Sequence, residues 1–246
     1  MFRRIGLLIQ RLLQFPLPPQ CPCCETFLEE GEEGLCPDCL AGIRRIEPPF
    51  CSICGTPFIS EKAGTHACPS CLTRKRYFTM ARALGCYEGS LQKIIHRWKY
   101  QGKTSVTPYL GEWITERFYH YWNPCVLDLL IPVPLHPKRL RERGFNQALL
   151  LAKELSRRTQ IPYQGRILKK KKPTPPQVQL NAGERERGVK GAFHLTDREG
   201  VEGKTILLID DVYTTGATVN ECSKVLIRGG ARRVDVLTLA HTMKVN

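Results

Sequence analysis

A short stretch near the carboxyl end of the chain, residues 204–218, constrains the fold most. Residues 206–209 are all apolar, as expected of a strand that is buried on both faces of a parallel sheet. Asp210 and Asp211 follow directly, and open α/β sheets bind their ligands at the carboxyl ends of the strands. The sequence therefore predicts an α/β domain with a ligand site at this strand end.

The turn after the two aspartates has the chemistry of a phosphate-binding loop. It contains three threonines around Gly216, and a helical pattern covers residues 217–229. Backbone N–H groups, hydroxyls and a helix dipole all favour a phosphate at such a turn. The alternative is an ordinary buried strand with an Asx-type turn. Two adjacent carboxylates repel each other and gain nothing from a core, so we favour the functional interpretation.

This stretch resembles the phosphoribosyl-pyrophosphate loop of the type I phosphoribosyltransferases. The resemblance implies that Asp210 and Asp211 hold the 2′- and 3′-hydroxyls of a ribose. It also implies that the turn residues wrap the 5′-phosphate; these are Tyr213, Thr214, Thr215, Gly216, Ala217 and Thr218.

Eight of the 12 cysteines form four C-x-x-C pairs in the first third of the chain. Two such pairs supply the four thiolates of one tetrahedral zinc site, so the spacing predicts two structural zinc ions. A disulfide framework and an iron–sulfur cluster are less favoured, and a crossed pairing stays open, as does competition between Cys23 and Cys24. Pairing in sequence order gives Cys21, Cys24, Cys36 and Cys39 for the first site and Cys51, Cys54, Cys68 and Cys71 for the second.

Apart from Cys23, three cysteines lie outside the pairs, and Cys86, Cys125 and Cys222 are each isolated in apolar surroundings. Cysteine behaves as a small hydrophobe in such settings, so we expect all three to be buried.

A second anion site is predicted from the distribution of charge. The formal net charge is +14, and residues 138–190 hold 15 Lys and Arg against 4 Glu and no Asp, a net charge of +11. Four of these cations, Lys138, Arg139, Arg141 and Arg143, lie in a predicted loop between a strand at 126–131 and a helix at 145–158. The cluster suits a diphosphate, although a solvated basic loop is the alternative.

The other elements are less informative about function. Residues 82–87 and 234–239 are predicted strands, and residues 90–98 and 107–121 are predicted helices. Residues 169–193 combine lysines, prolines and little periodicity, which is typical of a mobile loop that closes over a site as a lid.

The amino-terminal 20 residues form a separate segment. They contain no cleavage site, and the chain has no apolar run of 18 residues, so we expect neither a signal peptide nor a membrane span. An amphipathic helix is predicted that lies on a membrane, on a partner or on its own protein. We expect a cytoplasmic protein, with association at the inner face of the membrane left open. The predicted domains are a zinc ribbon at 21–75 and an α/β domain at 80–246.

The order of these pieces resembles the ComF family of competence proteins over nearly the whole chain. The matching features are the cysteine pairs, Tyr87-Glu-Gly, the stretches 94–100 and 143–147, the pattern Gln177…Leu180…Arg185…Gly191-Ala-Phe193, and the two aspartates. One departure is Gly188, where the family usually has Asn. The resemblance implies a type I phosphoribosyltransferase fold, with a Rossmann-like parallel sheet, behind a double zinc ribbon.

The resemblance also implies a chemistry, namely displacement of diphosphate from the anomeric carbon of phosphoribosyl pyrophosphate. Asp210, Asp211 and Arg143 are then the catalytic residues, Arg139 and Lys99 hold the diphosphate with Arg143, and Mg²⁺ bridges diphosphate and ribose. The sequence shows no segment dedicated to selecting a nucleobase, so the acceptor of the phosphoribosyl group is not predicted. The alternative is a non-enzymatic accessory protein for DNA uptake, which binds single-stranded DNA through its zinc ribbons and basic surface.

Overall fold

The computed structural model describes residues 19–243 except 30, 33, 59–63 and 173–186. Nearly all of the predicted amino-terminal segment, and the middle of the predicted lid with Gln177, Leu180 and Arg185, lie outside the described residues. What is described comprises a cysteine-rich ribbon followed by an α/β domain.

The ribbon consists of two units with the same local backbone. In the first unit the N–H of Cys21 donates to the carbonyl of Thr26, and in the second the N–H of Cys51 donates to that of Thr56, both at 2.8 Å. Each unit then ends in a short helix that carries its last cysteine, α1 (Pro37–Ala41) and α2 (Pro69–Thr73). In both helices a proline stands at the first position, where its missing N–H costs nothing.

The α/β domain begins with β1 (Ala81–Cys86) and ends with β6 (Arg233–His241). In chain order the intervening elements are α3 (Gly89–Tyr100), α4 (Thr107–Tyr121), β2 (Leu129–Pro132), α5 (Pro137–Arg143), α6 (Gln147–Thr159), β3 (Leu168–Lys170), β4 (Phe193–Leu195), β5 (Thr205–Tyr213) and α7 (Ala217–Arg228). Single 3-10 turns at Thr104–Val106 and Pro124–Val126 precede α4 and β2.

Four of the strands form one parallel sheet in the order β1-β6-β5-β2. The other two, β3 and β4, pair with each other in a separate antiparallel sheet. The apolar run of β5 is fully buried, as predicted. Its side chains alternate between the two faces: Leu207 and Ile209 pack with α3, α4 and α6, and Ile206 and Leu208 pack with α7. Because β5 is central, its carboxyl end opens between elements from both halves of the sheet.

Most predicted elements are present, with small differences at their ends. Helix α4 has the predicted bounds, and all four apolar positions of α3 are buried. The strand predicted at 126–131 starts only at Leu129, because Asn123 accepts a hydrogen bond from the N–H of Cys125 and forms a turn there. Cys86 and Cys222 are buried as predicted, but that turn leaves Cys125 exposed.

The structure contains no helix with both the length and the apolarity needed to cross a bilayer, as far as the described residues go.

Candidate functional site

A cavity of about 360 Å³ lies at the carboxyl ends of the parallel strands. Asp210 and Asp211, near the end of β5, form one wall of it. The other predicted residues that line it are Lys99, Arg139, Arg143, Tyr213, Thr214, Gly216 and Thr218. Thr215 and Ala217 instead face a groove on the other side of the turn. The structure thus brings most of the predicted site residues together.

The two aspartates differ in their surroundings. Lys99 on α3 donates to Asp211 Oδ1 at 2.6 Å, and both side chains are about 15% exposed. In the described part of the chain no cation forms an ion pair with Asp210, whose Oδ1 accepts the N–H of Asp211 at 2.9 Å. Burial, and then the charge of Asp211, raise the pKa of Asp210 to about 7. A carboxylate held in so unfavourable a place is typical of a functional site.

The turn after β5 is shaped by Gly216. Its φ of +75° lies in the left-handed region, and a Cβ there would collide with the hydroxyl of Tyr213. The Tyr213 ring itself is buried beneath the turn and stacks on the ring of His241, with 4.5 Å between centroids. Because α7 begins at Ala217, its first N–H groups are directed to the turn, where an anion is favoured.

The basic wall of the cavity is helical rather than the predicted loop. Helix α5 starts after His136, whose Nδ1 accepts the N–H of Lys138, and it ends at Gly144 with φ +82°. A proline at the first position and a glycine at the end are ordinary helix signals, but the run of charges obscured them. On this helix Arg143 donates to Gln147 at 2.7 Å and lies over the ring of Tyr100.

Three residues of the site were missed by sequence reasoning. Lys170 on β3 lines the cavity; burial lowers its pKa, and the nearby Asp210 opposes this. Tyr87 lines the cavity beside Lys99. His241, in a segment that carries little sequence signal, supports Tyr213 from the neighbouring strand. All three are distant in sequence from the loops they complete.

The cysteines come together in the two groups that sequence order predicts. Within each group the four sulfurs lie within 4.8 Å of one another, and the Sγ atoms are 3.6 Å apart for Cys24 and Cys36 and 3.7 Å apart for Cys54 and Cys68. Zn–S bonds of about 2.3 Å in a tetrahedron require about 3.8 Å between sulfurs, so both groups fit zinc. Cys23 is outside the first group, with its sulfur 3.8 Å from the carbonyl of Ser90.

A basic groove of about 320 Å³ lies on the far side of the turn. Lys75 and Lys224 both lie over the ring of Tyr77, at 5.2 and 5.9 Å from its centroid. Arg74, Arg76 and Lys190 add further positive charge to its lining, with Glu221 the acidic member. This groove combines an aromatic surface with cations.

Comparison with known proteins agrees with this architecture. A double zinc ribbon domain model matches residues 12–72, and a phosphoribosyl transferase domain model matches residues 146–244. Competence protein F of Haemophilus influenzae is 32% identical over 229 residues, which cover 90% of this chain and 96% of that protein. The chain belongs to the ComF family. Other ComF relatives are the DNA utilization protein YhgH of Escherichia coli, 30% identical over 92% of this chain and 99% of its own length, and competence protein ComFC of Bacillus subtilis, 30% identical over 88% of each chain.

Among the described residues, the ComF departure at Gly188 has no steric cause. Apart from its two chain neighbours, none of them has an atom within 4 Å of the position that a Cβ would take there, and the backbone is outside the left-handed region. The neighbouring residues Val189 and Lys190 line the basic groove. An asparagine at 188 would therefore fit, and nothing in the structure explains the glycine.

Proposed function

We propose that this ComF protein binds phosphoribosyl pyrophosphate with Mg²⁺ and is a phosphoribosyltransferase. The observation that supports the proposal is that carboxylates and guanidinium groups from distant parts of the chain line one cavity. Asp210 and Asp211 come from β5, and Arg139 and Arg143 come from α5. Carboxylates and guanidinium groups in one cavity suit a reaction in which positive charge develops on the ribose and negative charge on the leaving diphosphate.

Each group has a distinct role in this proposal. The two aspartates orient the ribose hydroxyls, and their oxygens are ligands that suit Mg²⁺, which supplies charge neutralisation to the diphosphate when bound. Lys99 holds Asp211 in place through its 2.6 Å ion pair. The hydroxyls of Thr214 and Thr218 and the first N–H groups of α7 receive the 5′-phosphate.

Calorimetry with Mg²⁺ and phosphoribosyl pyrophosphate tests this proposal. The wild type should bind, and the double variant Asp210→Asn with Asp211→Asn should lose at least about 100-fold in affinity, since each lost charged contact is worth about 1.5–3 kcal/mol. Asp197→Asn, on an exposed turn, is the control and should bind as the wild type does. Equal affinity in the wild type and the double variant would reject the proposed site.

A second function, binding of single-stranded DNA, is favoured by the basic groove. Relatives of this chain are named for competence and for DNA utilization, and we extend that association to it. A tyrosine ring flanked by cations suits a stacked base whose phosphates contact lysines. In this proposal Tyr77 stacks on a base while Lys75 and Lys224 contact the backbone.

The two functions are separable by variants of two different regions. Tyr77→Ala should weaken binding of a labelled single-stranded oligonucleotide by about 5- to 100-fold. Lys75→Gln should lower the slope of log affinity against log salt concentration by about 1, as expected for the loss of one phosphate contact. The double variant of Asp210 and Asp211 should keep its DNA affinity. DNA binding that survives Tyr77→Ala but not the loss of the aspartates would reverse this assignment of sites.

A further inference from the structure

The two ribbon units differ in one contact that reaches the α/β domain. Thr26 and Thr56 occupy equivalent places, with their hydroxyls 3.3 Å from Cys24 Sγ and 3.0 Å from Cys54 Sγ. The Thr56 hydroxyl also lies 3.3 Å from Nε2 of His241, at the end of β6. Within the described part of the chain, the Thr26 hydroxyl has no hydrogen bond to the α/β domain. Among the described residues, only the second unit therefore connects a cysteine site to the parallel sheet through a threonine hydroxyl.

His241 continues this connection to the phosphate-binding turn. His241 as a residue is 2% exposed and Tyr213 is 4% exposed, and their rings stack at an angle of 21°. The Tyr213 hydroxyl, directly against Gly216, has no hydrogen-bond partner among the described residues. The position of the tyrosine ring is therefore set by packing, with His241 on its face and Phe78 at its edge.

The backbone reinforces the same route. His241 Nδ1 lies 2.8 Å from the carbonyl of Thr242. Thr242 donates its N–H to the carbonyl of Tyr213 at 2.9 Å, and its hydroxyl donates to the carbonyl of Thr214 at 3.4 Å. A displacement of His241 would thus be transmitted to the first residues of the turn both through the stacked rings and through these bonds.

We propose that Thr56 and His241 are positioning residues that couple the second cysteine site to the phosphate-binding turn. Zinc bound by Cys51, Cys54, Cys68 and Cys71 fixes the backbone around Thr56, because a closed four-cysteine site couples metal binding to local folding. Thr56 then holds His241, and His241 holds the ring beneath Gly216. Since such coupling is reciprocal, a ligand bound at the turn raises the affinity of the second cysteine site for zinc and leaves that of the first unchanged. The ligand half of this inference rests on the proposed function.

The matched pair Thr56→Val and Thr26→Val tests the coupling. Both changes remove a hydroxyl from a cysteine sulfur, but only the first removes the contact with His241. Thr56→Val should weaken binding of Mg²⁺ and phosphoribosyl pyrophosphate by about five-fold or more, the lower range of allosteric couplings, whereas Thr26→Val should change it less than about two-fold. In the wild type the ligand should slow transfer of one of the two zinc ions to a chromophoric chelator, and Thr56→Val should abolish this effect.

Amide hydrogen exchange separates this inference from the proposed function. Without any ligand, exchange at residues 214–218 should be faster in Thr56→Val than in wild type and unchanged in Thr26→Val. If the wild type does not bind phosphoribosyl pyrophosphate, the proposed function fails, but the exchange comparison still decides the coupling. Equal exchange in the two variants, or equal losses of affinity, would overturn it. His241→Phe, which keeps an aromatic ring on Tyr213, gives the same test if Thr56→Val does not fold.

Discussion

Replacement of Asp210 by Asn should stabilise the ligand-free protein at alkaline pH. The folded pKa of this carboxyl is about 7 against an ordinary value of 3.8, because burial and Asp211 both disfavour its charge. The folded state therefore binds this proton more tightly than the unfolded state does. The contribution of protonated Asp210 to the free energy of unfolding is therefore complete below about pH 4, and it is lost as the pH rises through about 7.

The size of the effect follows from the shift in pKa. A difference of about 3 pKa units corresponds to about 4 kcal/mol, an upper value since the site can relax or admit water. Asparagine has nearly the same shape and no charge, so Asp210→Asn should raise the free energy of unfolding at pH 8 by about 2–4 kcal/mol. For a chain of this size that is an increase in Tm of roughly 5–15 °C. At pH 4 the variant and the wild type should be nearly equal.

Thermal unfolding between pH 4 and pH 8, without Mg²⁺ and without a chelator that would strip zinc, measures this difference. Asp235→Asn is the control, because this buried aspartate accepts from Trp122 Nε1 at 2.8 Å and pairs with Arg233 at 2.9 Å. Its loss should destabilise the protein by about 1–3 kcal/mol. If Asp210→Asn is no more stable than the wild type at pH 8, the folded state does not disfavour the ionised carboxylate and the reasoning about its pKa is wrong.

Three further outcomes are expected. Gly216→Ala should cost more than about 2 kcal/mol in a thermal melt, since its methyl group meets Tyr213, whereas Gly203→Ala, also at positive φ but in open space, should cost about 1 kcal/mol; equal costs would contradict the crowding. Metal analysis should find two zinc ions per chain, and one in Cys39→Ser or Cys71→Ser; a value near zero would contradict the zinc assignment. Gly188→Asn should change the stability by less than about 0.5 kcal/mol, and a larger loss would reveal a contact that the structure lacks.

Local patterns predicted the elements that depend on neighbours in sequence. The apolar run of β5 and the helical spacing of α3 both indicate burial directly, and both are buried. The four C-x-x-C pairs also follow from spacing, because two residues between cysteines aim both sulfurs at one ion. Spacing left a crossed arrangement of these pairs open, and the structure groups them in sequence order. Helix α5 was missed since a charge run outweighed its proline and glycine signals.

Contacts between distant residues were beyond what the sequence could reveal. Lys170 reaches the cavity from β3, and His241 reaches Tyr213 across paired strands 28 residues apart. Neither residue has a local sequence signal for the site, because Lys170 is one of four consecutive lysines and a histidine near the end of the sequence is common. The pairing of Lys99 with Asp211, 112 residues away, likewise depends on where α3 packs on the sheet.

The two ribbon units pack into different hydrophobic clusters, the first with Leu91 and Leu130 and the second with Ile131 and Val219. The amino-terminal module is therefore part of both faces of the sheet, and residues near 80 do not mark a place where the chain can be divided cleanly. Hybrids that join the ribbon of one relative to the transferase-like half of another should fail to fold unless these contact residues are exchanged together. The two halves are thus expected to diversify as one unit.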